Sequence, residues 1–94
     1  MSQPAVIVEQ EGAVLVVTLN RPEKKNAVNA EVMCRLYDAW VRLDQEEALR
    51  VAILTGRGDT FCAGMDLAEI GKLRSGVTDN EWIERVRREP HVIY

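Results

Sequence analysis

The sequence has 94 residues, of which 47% are hydrophobic and 29% charged, and a formal net charge of -3 at pH 7. This length allows one small domain, and the composition is ordinary for a globular protein. The acidic balance argues against a general nucleic-acid binder, because phosphate contacts need a basic face. No run approaches the ~20 apolar residues that span a bilayer, and residues 1–4 lack the basic start of a signal peptide. We therefore expect a cytosolic or organelle-matrix protein without a metal site, in which Cys34 and Cys62 are free thiols.

The first part of the chain predicts a β-hairpin. Residues 5–8 and 13–19 are apolar and rich in β-branched side chains, and Glu11-Gly12 lies between them. Gly12 can take the positive φ that a tight turn requires. Segment 13–19 is apolar at almost every position, which predicts a strand covered on both faces and therefore a layered α/β structure.

A helix and a third strand are predicted next. From Asn29 to about Glu47, apolar residues recur at spacings of three and four, which indicates a helix with Asn29 as its N-cap. Residues 50–55 read as another strand, centred on Val51–Leu54. The order strand, helix, strand favours a right-handed crossover unit.

The remaining residues predict shorter elements. These are a turn at 56–59, a short helix at 65–70 and a loop at 71–76. Thr78, with Glu81 three residues later, is typical of a capping box and predicts a further helix. That helix should end near Glu89, because the residue before a proline disfavours helical geometry.

The junction between residues 55 and 69 is the segment with the clearest chemical potential. Gly64 would let a ligand or another backbone approach closely. The first amides of the following helix, predicted to be those of Met65, Asp66 and Leu67, would lack partners within the helix. Such donors suit an anion or a carbonyl oxygen that becomes negative. A plain loop, whose glycine merely caps a turn, is the alternative.

Two glycine-containing patterns give weaker indications of function. Gly56 and Gly58 after a strand match part of a dinucleotide-binding fingerprint, but Phe61 occupies the third glycine position. The tripeptide Arg57-Gly58-Asp59 matches an adhesion motif that is common by chance, and it lies in an ordinary turn.

Cysteine and lysine side chains offer two further candidates. Cys62 as a nucleophile would need a base, and nothing in the sequence brings it near His91, the chain's single histidine. A packing cysteine is therefore favoured. Lys24 and Lys25 are either solvated surface residues or include a contact to a phosphate.

Two segments together resemble a known family. Leu19–Val28 (LNRPEKKNAV) is similar to the first motif of the crotonase, or enoyl-CoA hydratase/isomerase, family, and Thr60–Leu67 (TFCAGMDL) is similar to the second. The resemblance covers essentially all 94 residues. It implies an α/β, crotonase-like fold (the ClpP/crotonase spiral of β-β-α units), with residues 1–94 as the N-terminal part of a single domain.

The resemblance also implies roles for individual residues. The backbone N–H of Met65 resembles the first donor of an oxyanion hole that holds a thioester carbonyl. Lys25 resembles a contact to coenzyme A phosphate, and Ala27 lines the same channel. Four residues resemble the backbone cradle around coenzyme A, namely Ala63, Gly64, Asp66 and Leu67.

The implied function is binding of acyl-CoA thioesters and stabilisation of an enolate, most often in the hydration of 2-enoyl-CoA. Isomerase, thioester hydrolase and decarboxylase reactions stay open. Coenzyme A would enter as part of the substrate, without a permanently bound cofactor, and the complete protein would form a homotrimer or a dimer of trimers. Family members carry their second oxyanion donor and their catalytic carboxylates beyond the position of Tyr94, so we expect these 94 residues alone to be inactive. A truncated, non-catalytic module for coenzyme A binding or oligomerisation is the alternative.

Overall fold

Among the residues that the structure describes, three strands form one mixed sheet in the order β1–β2–β3. They are β1 (Val6–Glu11), β2 (Val14–Leu19) and β3 (Val51–Gly56). The computed structural model describes residues 3–93. Met1 and Ser2, which begin the segment 1–4 considered above for a signal peptide, and Tyr94 lie outside this range. Residues 3–93 also form three α-helices, which are α1 (Ala30–Gln45), α2 (Leu67–Ser75) and α3 (Glu81–Arg88). Short 3-10 helices occupy Pro22–Lys24 and Pro90–Ile93. Within this range no helix is long and apolar enough to cross a membrane.

The predicted hairpin is confirmed. β1 and β2 are antiparallel, and the pairing of Glu11 with Val14 leaves the two-residue loop Gly12-Ala13. Gly12 has a φ of 61°, a conformation that glycine reaches without a Cβ clash. The first strand runs three residues past its predicted end at Val8, because the ladder to β2 continues up to the turn.

The crossover is confirmed as a parallel β2–β3 pair joined through α1. The side chain of Asn29 caps α1 by accepting a hydrogen bond from the amide of Val32 at 2.9 Å. The helix ends at Gln45, two residues before the predicted end. This connection brings the end of β3 next to the loop that follows β2, where Leu19 pairs with Gly56.

Only one face of the sheet is covered by the described chain, so the prediction of cover on both faces of β2 is wrong here. Leu15, Val17 and Leu19 are buried and pack with Val32 and Ala39 of α1. Side chains alternate along a strand, so the intervening residues Val14, Val16 and Thr18 lie on the other face, where they are half-buried. On the same open face, Val51 and Ile53 of β3 are 51% and 52% exposed.

Helix α3 packs on the far side of α1. A second cluster joins Ala30, Met33 and Cys34 of α1 to Ile83 and Val86 of α3. Burial raises the pKa of the Cys34 thiol despite the opposing charge of Arg85. Cys34 is therefore a core thiol, as the sequence predicts.

Helices α2 and α3 also differ from prediction at their boundaries. The loop expected at 71–76 is helical to Ser75, because a single glycine lowers helix stability by only about 1 kcal/mol relative to alanine. The capping box from Thr78 is wrong, since Asn80 caps α3 by accepting from the amides of Trp82 and Ile83. Thr78 instead accepts a hydrogen bond from Arg87 at 2.7 Å. The end of α3 at Arg88, before Pro90, is confirmed.

Candidate functional site

The two motif segments lie side by side and are joined by three backbone hydrogen bonds. Ala63 donates to the carbonyl of Lys25 at 2.9 Å, Val28 donates to Gly64 at 2.7 Å, and Asp66 donates to Val28 at 2.8 Å. Val28 and Met65 thereby form an isolated parallel bridge. The fold therefore brings together two segments that are more than thirty residues apart in sequence.

The amide of Met65 points away from this bridge. Its peptide group includes the carbonyl of Gly64, which accepts the hydrogen bond from Val28. No peptide bond is cis among residues 3–93, and in a planar trans peptide the N–H points opposite to the carbonyl. Within the same residues the Met65 N–H has no hydrogen-bond partner, and Met65 is 45% exposed. The donor therefore faces away from the paired segment, on a residue that is partly exposed.

Gly64 provides the backbone geometry beside this donor. Its φ of 106° lies in a region that L side chains rarely adopt, so another residue would be strained at this position. A Cβ placed there would meet no atom within 4 Å. Space beside Gly64, the residue that precedes the Met65 amide, is therefore open.

The expectation of three free amides at the start of the helix is wrong for Asp66. Helix α2 begins at Leu67, and Asp66 is its N-cap rather than its second residue. The amide of Asp66 completes the bridge to Val28, while its side chain accepts from the amide of Glu69 at 3.2 Å. The amides of Met65 and Leu67 have no hydrogen-bond partner among residues 3–93.

An ion pair between Arg21 and Asp66 connects the same two segments. The guanidinium of Arg21 is 3.2 Å from Asp66 Oδ2 and donates to the carbonyl of Ala27 at 2.6 Å. Their side chains are 14% and 18% exposed. Burial opposes ionisation of Asp66, but hydrogen bonds from the Glu69 amide and from Arg21 outweigh it and hold the pKa of Asp66 below its ordinary value.

Asn26 is a buried polar residue whose structural role the sequence analysis missed. It is 1% exposed, with a φ of 57°. Its Oδ1 accepts from the amide of Arg21 at 2.8 Å, and its Nδ2 donates to the carbonyls of Arg57 and Thr60 at 2.9 and 2.8 Å. Asparagine tolerates the left-handed region better than most residues, which is the local signal that could have indicated this role.

The predicted coenzyme A contacts lie on these two adjacent segments. Lys25 is exposed, and its φ of 51° ends the short 3-10 helix in a left-handed conformation. Ala27 is half-buried and uses its carbonyl to bind Arg21. Ala63 and Gly64 are exposed, and Leu67 is 81% exposed. The seven predicted residues therefore lie on two segments that hydrogen-bond to each other, and Asp66 is turned toward the protein.

The alternatives considered for nearby residues, a dinucleotide-binding glycine pattern and a nucleophilic cysteine, find no support in the structure. A Cβ at Gly56 would collide with the backbone of Phe61 and lie 2.9 Å from Asn26, so this glycine permits close packing. Cys62 packs against the core below β2 and accepts a hydrogen bond from the amide of Gly64 at 3.4 Å. His91 makes an edge contact with Tyr37 of α1 instead, with ring centroids 5.2 Å apart. No group of three potential metal-binding side chains occurs in residues 3–93.

Comparisons with known proteins agree with the motif resemblance. A family model described as enoyl-CoA hydratase/isomerase matches residues 9–88. Enoyl-CoA hydratase EchA19 from Mycobacterium tuberculosis is 48% identical over 66 residues, which cover 70% of this chain and 25% of that protein. 3-Hydroxyisobutyryl-CoA hydrolase 1 from Arabidopsis thaliana is 36% identical over 69 residues, which cover 73% of this chain and 18% of that protein. The chain therefore matches a quarter or less of the length of these curated relatives.

The fold comparison extends over nearly the whole chain. The crystal structure of an enoyl-CoA hydratase/isomerase from Mycobacterium paratuberculosis superposes with a TM-score of 0.75 at 31% identity. The match covers 97% of this chain and 35% of that one. The predicted α/β, crotonase-like fold is thus confirmed for this portion, and the chain belongs to the enoyl-CoA hydratase/isomerase family.

Proposed function

We propose that the protein binds acyl-CoA thioesters and that the N–H of Met65 donates a hydrogen bond to the thioester carbonyl. The observation that carries this proposal is the outward orientation of that amide on an accessible segment. When a base removes a proton next to the carbonyl, or a nucleophile adds to the enoyl group, negative charge develops on the oxygen. A donor already fixed in place stabilises that charge without reorganising during the reaction.

The proposed coenzyme A surface surrounds this donor. Ala63, Gly64 and Leu67 are exposed next to Met65, and they present backbone and apolar surface to the pantetheine portion. Lys25 supplies a positive charge at the edge of the same surface, where it would meet a phosphate. Ala27 lines the surface between them, while the backbone amide of Asp66 is already engaged with Val28.

For the reaction we propose hydration of 2-enoyl-CoA. A relative named as a hydratase has 48% identity, compared with 36% for a relative named as a hydrolase. Hydration also requires a carboxylate to activate water and an acid to protonate the α-carbon. None of the acidic residues of this chain matches those roles, so we propose that residues 1–94 alone are inactive. We propose that coenzyme A enters as part of the substrate. Two further expectations stay predictions: the complete protein forms a trimer or a dimer of trimers, and it is located in the cytosol or an organelle matrix.

A non-catalytic module is the second candidate, and the open face of the sheet favours it. Val51 and Ile53 are about half exposed there, beside the half-buried Val14 and Val16. Apolar surface of this kind is typical of an interaction face. A module of this type would bind coenzyme A or associate with other chains without turnover.

The experiment that separates these functions measures both binding and turnover by the intact protein, by which we mean the full-length protein of which we propose residues 1–94 to be the N-terminal part. A short 2-enoyl-CoA is added, and loss of the conjugated enoyl absorbance is followed alongside calorimetric titration with the saturated acyl-CoA. The proposal predicts saturable binding and formation of the 3-hydroxyacyl-CoA product. Binding without turnover would support the module, and absence of both would contradict the enzyme and the coenzyme A-binding form of the module.

A further inference from the structure

The guanidinium of Arg21 spans the bridge that orients the Met65 amide. One terminal nitrogen donates to the carbonyl of Ala27 at 2.6 Å, and both terminal nitrogens lie 3.2 Å from Asp66 Oδ2. Ala27 precedes Val28 in the first segment, whereas Asp66 follows Met65 in the second. A single side chain therefore binds each segment within one residue of the Val28–Met65 bridge.

The amide, the carbonyl and the carboxylate of Asp66 all form hydrogen bonds within the protein. Its amide donates to the carbonyl of Val28 at 2.8 Å, and its carbonyl accepts from Ile70 at 3.0 Å. Its carboxylate caps α2 through Glu69 and binds Arg21. Its polar groups therefore act on neighbouring backbone, although the family resemblance places this residue in the coenzyme A cradle.

The orientation of the Met65 N–H depends on the distance between the two segments. The Gly64 carbonyl must stay within reach of the Val28 amide, at 2.7 Å, for the opposite end of that peptide group to face outward. Gly64 itself contributes no side chain to hold this geometry. Charge-assisted hydrogen bonds are roughly twice as strong as neutral ones, so the largely buried Arg21–Asp66 pair is a strong local restraint.

We propose that Arg21 and Asp66 form a positioning pair that holds the Gly64–Met65 peptide group in the orientation needed to meet the substrate carbonyl. This inference rests on the proposed function of the Met65 amide. The pair acts through the backbone and does not touch the substrate. Loss of the pair lets the peptide group reorient, which weakens the hydrogen bond in the transition state more than it weakens binding of the coenzyme A portion.

Asp66→Asn is the sharpest variant for a test in the intact protein. Asparagine and aspartate are equivalent as N-caps, so α2 keeps its start while Arg21 loses its anionic partner. Arg21→Gln removes the other partner, and Arg21→Lys restores one positive charge without the forked geometry. Arg42→Gln is the matched control, because it breaks an exposed Arg42–Glu46 pair of 3.0 Å on α1.

Two readouts separate positioning from general stability. The first is the division between kcat and KM for a short 2-enoyl-CoA, where we expect Asp66→Asn to lower kcat about 10- to 100-fold with little change in KM. The second is the carbonyl stretching frequency of bound acyl-CoA, which falls when the oxygen accepts a strong hydrogen bond. We expect a reduced shift in Asp66→Asn and Arg21→Gln, partial recovery in Arg21→Lys, and a wild-type shift in Arg42→Gln.

The outcomes distinguish this inference from the function on which it rests. If the wild-type protein binds acyl-CoA without any shift in the carbonyl frequency, the proposed Met65 donor is wrong and the positioning role is overturned with it. If the wild type shows the shift and Asp66→Asn retains the full shift and kcat, the donor stands and the positioning role is overturned. Failure of Asp66→Asn to fold would also overturn it, because the pair would then be a determinant of the fold.

Discussion

The amide of Val28 and the carbonyl of Gly64 form a 2.7 Å hydrogen bond that fixes the direction of the next N–H along the chain, that of Met65. The free donor is therefore a consequence of pairing between two backbone segments, and not of a helix N-terminus alone. Substitutions that disturb this pairing should affect the site even when they lie outside it. The following predictions use that relationship.

Gly56 and Gly71 provide a matched pair for the packing around the site. Gly56→Ala places a Cβ against the backbone of Phe61, so we expect a loss of about 1–3 kcal/mol in the free energy of unfolding. Gly71 lies inside α2 with no atom near its Cβ position, so Gly71→Ala should stabilise by up to about 1 kcal/mol. Denaturant titration of the intact protein measures both. Equal effects would contradict the close approach at Gly56.

Asn26 should be the most sensitive polar residue of the first segment. Asn26→Ala leaves the amide of Arg21 and the carbonyls of Arg57 and Thr60 without their partner. Each buried polar group that is left unsatisfied costs about 1–3 kcal/mol, so we expect a larger loss of unfolding free energy than for Asn20→Ala. Asn20 is a suitable control because its side-chain hydrogen bonds are exposed. Similar losses in the two variants would show that the Asn26 network is unimportant.

Protonation of Asp66 should remove part of the stability. Its pKa is lowered in the folded protein, so its contribution is complete above the ordinary carboxyl pKa and is lost as the pH falls through the folded value. The stability difference between wild type and Asp66→Asn should therefore be constant above about pH 5 and shrink as the pH falls through and below the ordinary aspartate pKa of about 3.9. Thermal unfolding across this range, with protein concentration held constant, provides the measurement. A difference that does not depend on pH would argue against the ion pair.

Lys25 and Lys24 test the proposed phosphate contact. Both side chains are exposed neighbours, but only Lys25 follows the 3-10 helix in a left-handed conformation beside the Ala63 amide. Lys25→Ala should weaken acyl-CoA binding several-fold at low salt and less at high salt, because exposed charges are screened. It should have little effect on a thioester that lacks the nucleotide, and Lys24→Ala should change neither affinity. Equal weakening for both ligands would indicate a structural role for Lys25.

The local patterns predicted the hairpin, α1 and β3 because each carries its own signal in a few residues. The hairpin has Gly12 between apolar runs, and α1 has both its N-cap Asn29 and a continuous helical period. The C-terminal end of α2 and the N-cap of α3 were harder to predict from local sequence, because Gly71 and Thr78 can each take several structural roles. Which of these roles each residue takes depends on the residues around it.

The site required information that no local pattern contains. The motifs indicated which segments to compare, but the engagement of the Asp66 amide by Val28 depends on contacts across nearly forty residues. The same is true of the contact between Arg21 and Asp66, which are 45 residues apart in sequence. Charged and polar side chains of this kind read as ordinary surface residues until the fold places them together.

The central claim, that the Met65 N–H stabilises the substrate oxygen, is tested most directly by comparing Met65→Pro with Met65→Ala. Proline removes the N–H, whereas alanine keeps it and removes only the side chain. The measurement is kcat for hydration of a short 2-enoyl-CoA by the intact protein, with circular dichroism and thermal unfolding as checks on the fold. We predict a loss of about 10²–10³-fold for Met65→Pro and near wild-type turnover for Met65→Ala. Wild-type turnover in a folded Met65→Pro protein would contradict the account.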